Sequence, residues 1–83
     1  IKYGFGTDGI VIDGTTGNVA LGTNTTVASA LLSMPSTTKG FLPPKMTTTQ
    51  MNAISSPAEG LMIYDTVTHK LMVYDGTTWQ ACY

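Results

Sequence analysis

The side chains that could do chemistry in this chain are few, and they lie at predicted turns or near the chain end. The sequence contains one His, one Cys and five acidic residues. His69 could supply one metal ligand per subunit, but no second His lies beside it, so an ordinary turn residue is the favoured interpretation. Nucleophilic catalysis requires a general base near the nucleophile, and nothing in the sequence connects Cys82 to His69.

Three carboxylates are the best candidates for acid–base chemistry, namely Asp13, Asp65 and Asp75. Each precedes a Gly or a Thr at a predicted turn, where Asp is favoured because its side chain bonds to the local backbone. The sequence therefore predicts turn-forming carboxylates rather than a catalytic pair. Together with the isolated His and Cys, this pattern predicts no enzyme activity, no cofactor and no metal site.

Aromatic side chains offer a different chemistry, because flat rings can stack on sugars. The candidates are Tyr64, Tyr74, Trp79 and Tyr83. The alternative is that Trp79 anchors a core or an interface, as buried aromatics often do. We favour this alternative because Trp79 follows a predicted turn, where it can contact Val73 or Met72 on the neighbouring strand.

The composition favours association with other chains. A chain of 83 residues forms at most one small domain, and small domains usually need disulfides, a metal or oligomerisation. One Cys allows no intrachain disulfide. Charged residues make up 11% of the chain, against about 25% in an ordinary domain, while hydrophobic residues make up 42%. We therefore expect other chains to cover much of the surface.

Several classes of partner are disfavoured by the sequence. The net charge of −1 argues against nucleic acid, since phosphate binding needs clustered Lys and Arg. No apolar run approaches the roughly 20 residues that span a bilayer, so no membrane insertion is expected. Thr-x-Thr pairs recur without a constant period, which disfavours an ice- or mineral-binding surface.

The first third of the chain predicts a β-hairpin. Residues 10–13 and 18–21 are short apolar runs separated by a Gly-bounded turn at 14–17. Residues 1–9 are Gly-rich and lack a clear period. Residues 27–34 fit a strand or one helical turn, and periodicity does not decide between them.

A short helix is predicted after Thr47. Thr47 and Gln50 have the spacing of a capping box, in which each side chain bonds to the other residue's backbone. Residues 49–54 would form the helix, with Met51 and Ile54 on one face because they are three residues apart.

The last third predicts three antiparallel strands, at residues 61–64, 70–74 and 77–83. A turn at 65–69 joins the first two, and the Asp75-Gly76 dipeptide predicts a tight turn before the third. The first two strands read LMIYD and LMVYD, and both are apolar on both faces. One face can pack within the protomer, and a second copy of the chain is the simplest cover for the other.

These segments also resemble a known family. The runs are GFLPPKMTTTQ at 40–50, GLMIYDT at 60–66 and KLMVYDGTTW at 70–79, with a weaker GNVALGT at 17–23. Their order resembles a module of phage tail fibres, tail spikes and related virion surface proteins. Lys45 and Met51 stand where that pattern commonly has Arg, so salt bridges made by those arginines are not expected here. The resemblance favours extended structure over 27–34.

The resemblance implies a small, mainly β module with one short helix, intertwined as a homotrimer on the virion. It implies a shaft- or neck-like segment over 1–26, with residues 1–9 as the tail of a preceding shaft or neck, and a trimerising, head-like module over 27–83.

The function that the resemblance implies is non-enzymatic: homotrimerisation and attachment to a host receptor. The two partners are the chain itself and a host-cell surface glycan or protein. The alternative function is a purely structural element that registers or caps three chains while receptor binding lies elsewhere. Candidate receptor contacts are Tyr64, His69 and Tyr74. Candidate trimer core or interface residues are Leu42, Met51, Ile54, Leu61, Ile63, Leu71, Val73 and Trp79.

Overall fold

The computed structural model describes residues 2–3 and 9–83, which form two compact units, Ile1–Phe41 and Leu42–Tyr83. Both units are small β-sheets, and the second also carries the short helix, so the mainly β fold class is confirmed. The division between shaft-like and head-like segments after residue 26 stays a prediction. The predicted shaft tail at residues 1–9 falls largely outside the described residues.

The first unit contains a sheet of four short strands in the order β1-β2-β3-β4. The strands are β1 (Lys2–Tyr3), β2 (Ile10–Ile12), β3 (Val19–Leu21) and β4 (Leu32–Ser33). The predicted hairpin is confirmed, because β2 and β3 pair antiparallel with Val11 opposite Ala20. The parallel pairing of β4 with β3 was not predicted.

Asn18 shapes the segment that precedes β4. Its side chain is buried, and its amide donates to the carbonyl oxygens of Val27, at 3.2 Å, and Ala28, at 3.5 Å. The amide of Ala30 donates back to the Val27 carbonyl. Residues 27–30 are therefore a turn, and only Leu32–Ser33 has the strand structure that the resemblance favoured for 27–34.

The second unit contains β5 (Lys45–Met46), α1 (Thr48–Asn52), β6 (Met62–Asp65), β7 (Lys70–Tyr74) and β8 (Trp79–Ala81). The sheet order is β5-β6-β7-β8. The predicted antiparallel meander is confirmed in β6, β7 and β8. Sequence analysis missed β5, which pairs parallel with β6 and places Lys45 beside Tyr64.

The turn between β7 and β8 is longer than the predicted two-residue turn. Tyr74 pairs with Trp79, which leaves four residues, 75–78, in the turn. The cause is the Asp75 carboxylate, which accepts from the amides of Thr77, at 2.8 Å, and Thr78, at 2.7 Å. These bonds hold Thr77 and Thr78 in the turn rather than in the strand.

The capping box of α1 is confirmed. The Thr47 hydroxyl accepts from the Gln50 amide at 3.2 Å, and the Gln50 side chain accepts from the Thr47 amide at 2.9 Å. The helix is shorter than the predicted 49–54, because it starts at Thr48 and ends at Asn52. Ile54 therefore lies beyond the helix, which corrects the prediction that it shares a helical face with Met51.

Few side chains of the described residues are fully buried. The buried apolar residues are Ala20, Met51 and Ile63, and the buried polar ones are Asn18 and Asp65. Within the described part of the chain, no helix has the length and apolar character to cross a membrane.

Candidate self-association surfaces

The sheet of the second unit has two faces that strand alternation separates. We call the face that carries Ile63, Asp65, Met72, Tyr74 and Trp79 the helix side, because α1 packs there. We call the opposite face, which carries Met62, Tyr64, Leu71 and Val73, the open face. The pairing register places these side chains together, since Ile63 faces Met72 and Tyr64 faces Leu71 across β6 and β7.

The helix side holds the core of this unit. Met51 of α1 is 3% exposed and Ile63 of β6 is 2% exposed. The Thr48 hydroxyl at the start of α1 donates to the Asp65 carboxylate at 2.6 Å. Apolar contact and a charge-assisted hydrogen bond therefore both fix the helix on this face. Of the predicted core or interface residues, Met51 and Ile63 belong to the core of the single chain.

A groove of about 430 Å³ lies beside this core. Its apolar lining consists of Met51, Ile54, Pro57, Met72, Tyr74 and Trp79. The Tyr74 and Trp79 rings meet edge to face, with centroids 5.3 Å apart and planes at 65°. The main cross-strand partner of Trp79 is therefore Tyr74, not Val73 or Met72, because Tyr74 stands directly opposite in the register.

The open face is apolar although no described helix or strand packs against it as α1 packs against β6. Met62 is 42% exposed, and Tyr64, Leu71 and Val73 are half-buried in the single chain. Exposed Lys45 and Gln80 flank these four residues, beside Tyr64 and Val73 respectively. Leu71 and Val73, two of the predicted interface residues, thus share one surface with Met62, which was not predicted.

The remaining predicted interface residues lie elsewhere in the second unit. Leu42 is 72% exposed and Leu61 is 37% exposed, while Ile54 and Trp79 are half-buried beside the groove.

The first unit also exposes apolar side chains. Leu31 is 73% exposed and Leu32 is 51% exposed, and Val27 and Met34 are more than two-fifths exposed. A groove of about 500 Å³ in this unit is lined in part by Leu21, Met34 and Lys39. Both units therefore present apolar surface to their surroundings.

The three turn carboxylates bond to the local backbone, as predicted. Asp13, Asp65 and Asp75 each accept from the amides two and three residues later. Hydrogen bonds to the charged form favour that form. The Thr48 hydroxyl, followed by the Val67 and Thr68 amides, accordingly lowers the pKa of Asp65. Backbone amides lower the pKa of Asp13 and that of Asp75 in the same way.

The three candidate receptor residues do not form one site. Tyr64 lies on the open face and Tyr74 on the helix side. His69 is exposed in the β6–β7 turn, with a left-handed φ of 59° and its amide donating to the Asp65 carbonyl at 2.9 Å. No group of three or more His, Cys, Asp or Glu side chains that could hold a metal occurs among the described residues.

Comparisons with known proteins connect these surfaces to a family. Residues 20–83 match the model of a family described as "Phage tail like trimerisation region". No curated protein and no solved structure matches the chain. The match begins within β3 of the first unit and covers the whole second unit, including both faces of its sheet.

Proposed function

The chain belongs to the phage tail-like trimerisation region family, and from this membership we propose that it is a non-enzymatic element that holds three fibre chains together. Family membership supports a phage tail-related module that associates with itself as a homotrimer, and it supports a location on the virion tail. The proposal adds that registering the three chains is the main task of the module.

The observation that carries this proposal is the uncovered apolar surface. Only three apolar residues are buried in the described part of the chain, whereas Leu31, Phe41 and Leu42 are each more than three-fifths exposed. Exposed apolar side chains that lie together on a surface mark an interaction site. Association of three copies would bury apolar area that a single chain leaves in water.

Sedimentation equilibrium tests the proposal directly. At micromolar concentration we expect a single species with three times the 8.8 kDa mass of one chain. A folded species with the mass of one chain would overturn the proposal, because the module would then be stable without its copies.

Host attachment is a second candidate function, with a host-cell surface glycan or protein as the partner. It is favoured by the β6–β7 turn, where Val67 is 61% exposed and His69 is also exposed. The Asp65 carboxylate, through the amides of Val67 and Thr68, holds this turn in one conformation. A rigid exposed turn loses little conformational entropy on binding.

Competition for adsorption separates the two functions. If the turn binds the host, the isolated trimer should slow phage adsorption, and a trimer carrying Val67→Ser and His69→Ala should not. If the parent trimer fails to compete at any concentration, host attachment by this turn is excluded and the structural function remains.

A further inference from the structure

We propose that the open face, formed by Met62, Tyr64, Leu71 and Val73, is the surface at which copies of this chain pack against one another. This inference rests on the proposed trimerisation and specifies where it occurs. The occupant is a second copy of the same face or of the surface beside it, and the helix side faces away from the contact.

The part of the helix side around Ile63 already has its packing partner. Met51 of α1 and Ile63 of β6 are almost completely buried within the single chain. The Thr48–Asp65 hydrogen bond and the capping box hold α1 over this face. A second chain could reach the groove beside Trp79, but it could not replace the helix without breaking these bonds.

No described helix or strand packs against the open face as α1 packs against β6. In antiparallel sheets with one solvated face, that face is normally polar. Here two adjacent cross-strand pairs, Met62 with Val73 and Tyr64 with Leu71, place four large side chains together on the outside. Their contiguity makes one patch rather than scattered exposed residues, and a contiguous apolar patch indicates an interface.

The charges around this patch fit a copy of the chain better than a charged partner. Among the described residues of the open face, Lys45 is the charged side chain, and it lies on edge strand β5 next to Tyr64. The centre of the patch is uncharged, so its four side chains can meet those of another copy without a charge between them. A strongly charged partner would find one Lys at the edge and no complementary cluster.

Three residues take defined positions relative to this interface. Tyr64 becomes an interface residue, buried between protomers, rather than a receptor contact. Val67 and His69 remain outside the contact, because they lie in the turn beyond the ends of β6 and β7.

Leu71→Lys tests the interface, and Val67→Lys is its matched control. Both substitutions place a Lys at an apolar position of the same hairpin. Val67 is 61% exposed in the single chain and lies in the turn. At 10 µM chain, Leu71→Lys should lose the trimer, whereas Val67→Lys should keep it.

Chemical cross-linking provides a second measurement, which is made on variants that remain folded as trimers. Cys82 is exposed and is first removed by the substitution Cys82→Ser. Val73→Cys or Val67→Cys is then added, and each trimer is treated with a short bismaleimide. We expect covalent dimers from Val73→Cys, and we expect none from Val67→Cys.

The outcomes separate the two proposals. A trimeric Leu71→Lys variant together with absent Val73→Cys cross-links would overturn the open-face interface while trimerisation stands. Such a result would mean that another protein, another segment of the chain or solvent covers this face. A parent chain that sediments as a monomer would overturn both proposals.

Discussion

Asp13, Asp65 and Asp75 perform the same task at three turns, and two of them have an additional partner. The Asp75 carboxylate also accepts from the nearby Gln80 side chain. Asp65 is 1% exposed, and its carboxylate accepts from the Thr48 hydroxyl as well as from two turn amides. One residue therefore joins the β6–β7 turn to the start of α1. The Asp13 carboxylate accepts from the Thr15 and Thr16 amides within its own turn.

The lowered pKa values of these carboxyls predict a loss of stability in acid. Each group has a folded pKa below its ordinary value of 3.8. Their contribution to the free energy of unfolding is therefore fully present above about pH 5 and is lost as the pH falls through the folded pKa values. Urea unfolding at pH 7, 5, 3 and 2 should give similar midpoints at pH 7 and 5 and lower ones below.

Asp65→Asn checks which residue dominates that acid sensitivity. The amide cannot accept at all the positions that the carboxylate serves, so the variant should be less stable than the parent at pH 7. Its stability should also change less between pH 5 and pH 2. Asp13→Asn is the control, and equal effects of the two substitutions would contradict the central role assigned to Asp65.

The Tyr74–Trp79 contact predicts a measurable coupling energy. Edge-to-face aromatic pairs contribute about 0.5–1.5 kcal/mol beyond the area that they bury. A double-mutant cycle with Tyr74→Leu and Trp79→Leu, followed by thermal unfolding, should return a coupling in that range. Additive effects of the aromatic pair would contradict the expectation.

At the scale of elements, α1 illustrates how local and distant bonds combine. The capping box is local, because Thr47 and Gln50 exchange hydrogen bonds within one turn. The neighbouring Thr48 instead bonds to Asp65, seventeen residues away. A helix of five residues is too short to be stable alone, so its cap and its contact with β6 are both needed.

Removal of the cap should destabilise the module. Thr47→Ala deletes the acceptor for the Gln50 amide and should cost about 0.5–2 kcal/mol per chain. Differential scanning calorimetry should show a lower melting temperature. Thr49→Ala is the control, because Thr49 is an exposed helix residue and Ala favours helix. Thr48→Ala is unsuitable as a neutral control, since it removes the bond to Asp65. An unchanged melting temperature for Thr47→Ala would show that the cap contributes nothing.

At the scale of the whole molecule, folding and association should be linked. Each described unit contains few buried apolar residues, and oligomers of small domains draw their stability from the interface. Protomer concentration then enters the unfolding equilibrium by mass action. The trimer that the family assigns to this chain is therefore expected to be the stable folded form.

This linkage predicts a melting temperature that rises with chain concentration. Thermal unfolding followed by circular dichroism at 2, 20 and 200 µM chain should give successively higher midpoints, because dissociation accompanies unfolding. Val67→Lys should show the same dependence as the parent. A midpoint that stays constant over this hundredfold range would indicate that each chain folds independently.

The sequence alone determined the features that depend on neighbouring residues. The 10–21 hairpin, the β6–β7–β8 meander and the Thr47–Gln50 cap follow from turn residues, apolar runs and side chains three positions apart. The apolar character of both faces of β6 and β7 was also visible, because alternation along a strand assigns each residue to a face. The need for partner chains followed from the low charge and the single Cys.

Only the tertiary structure decided which apolar residues form a core and which form a surface. The parallel pairings of β4 and β5 join segments that are distant in the chain, and no local pattern encodes such contacts. The position of α1 on one side of the sheet separates Met51 and Ile63 from Leu71 and Val73, which composition cannot distinguish. The physical reason is that a side chain's role depends on what packs against it, and that is set by contacts between distant parts of the chain.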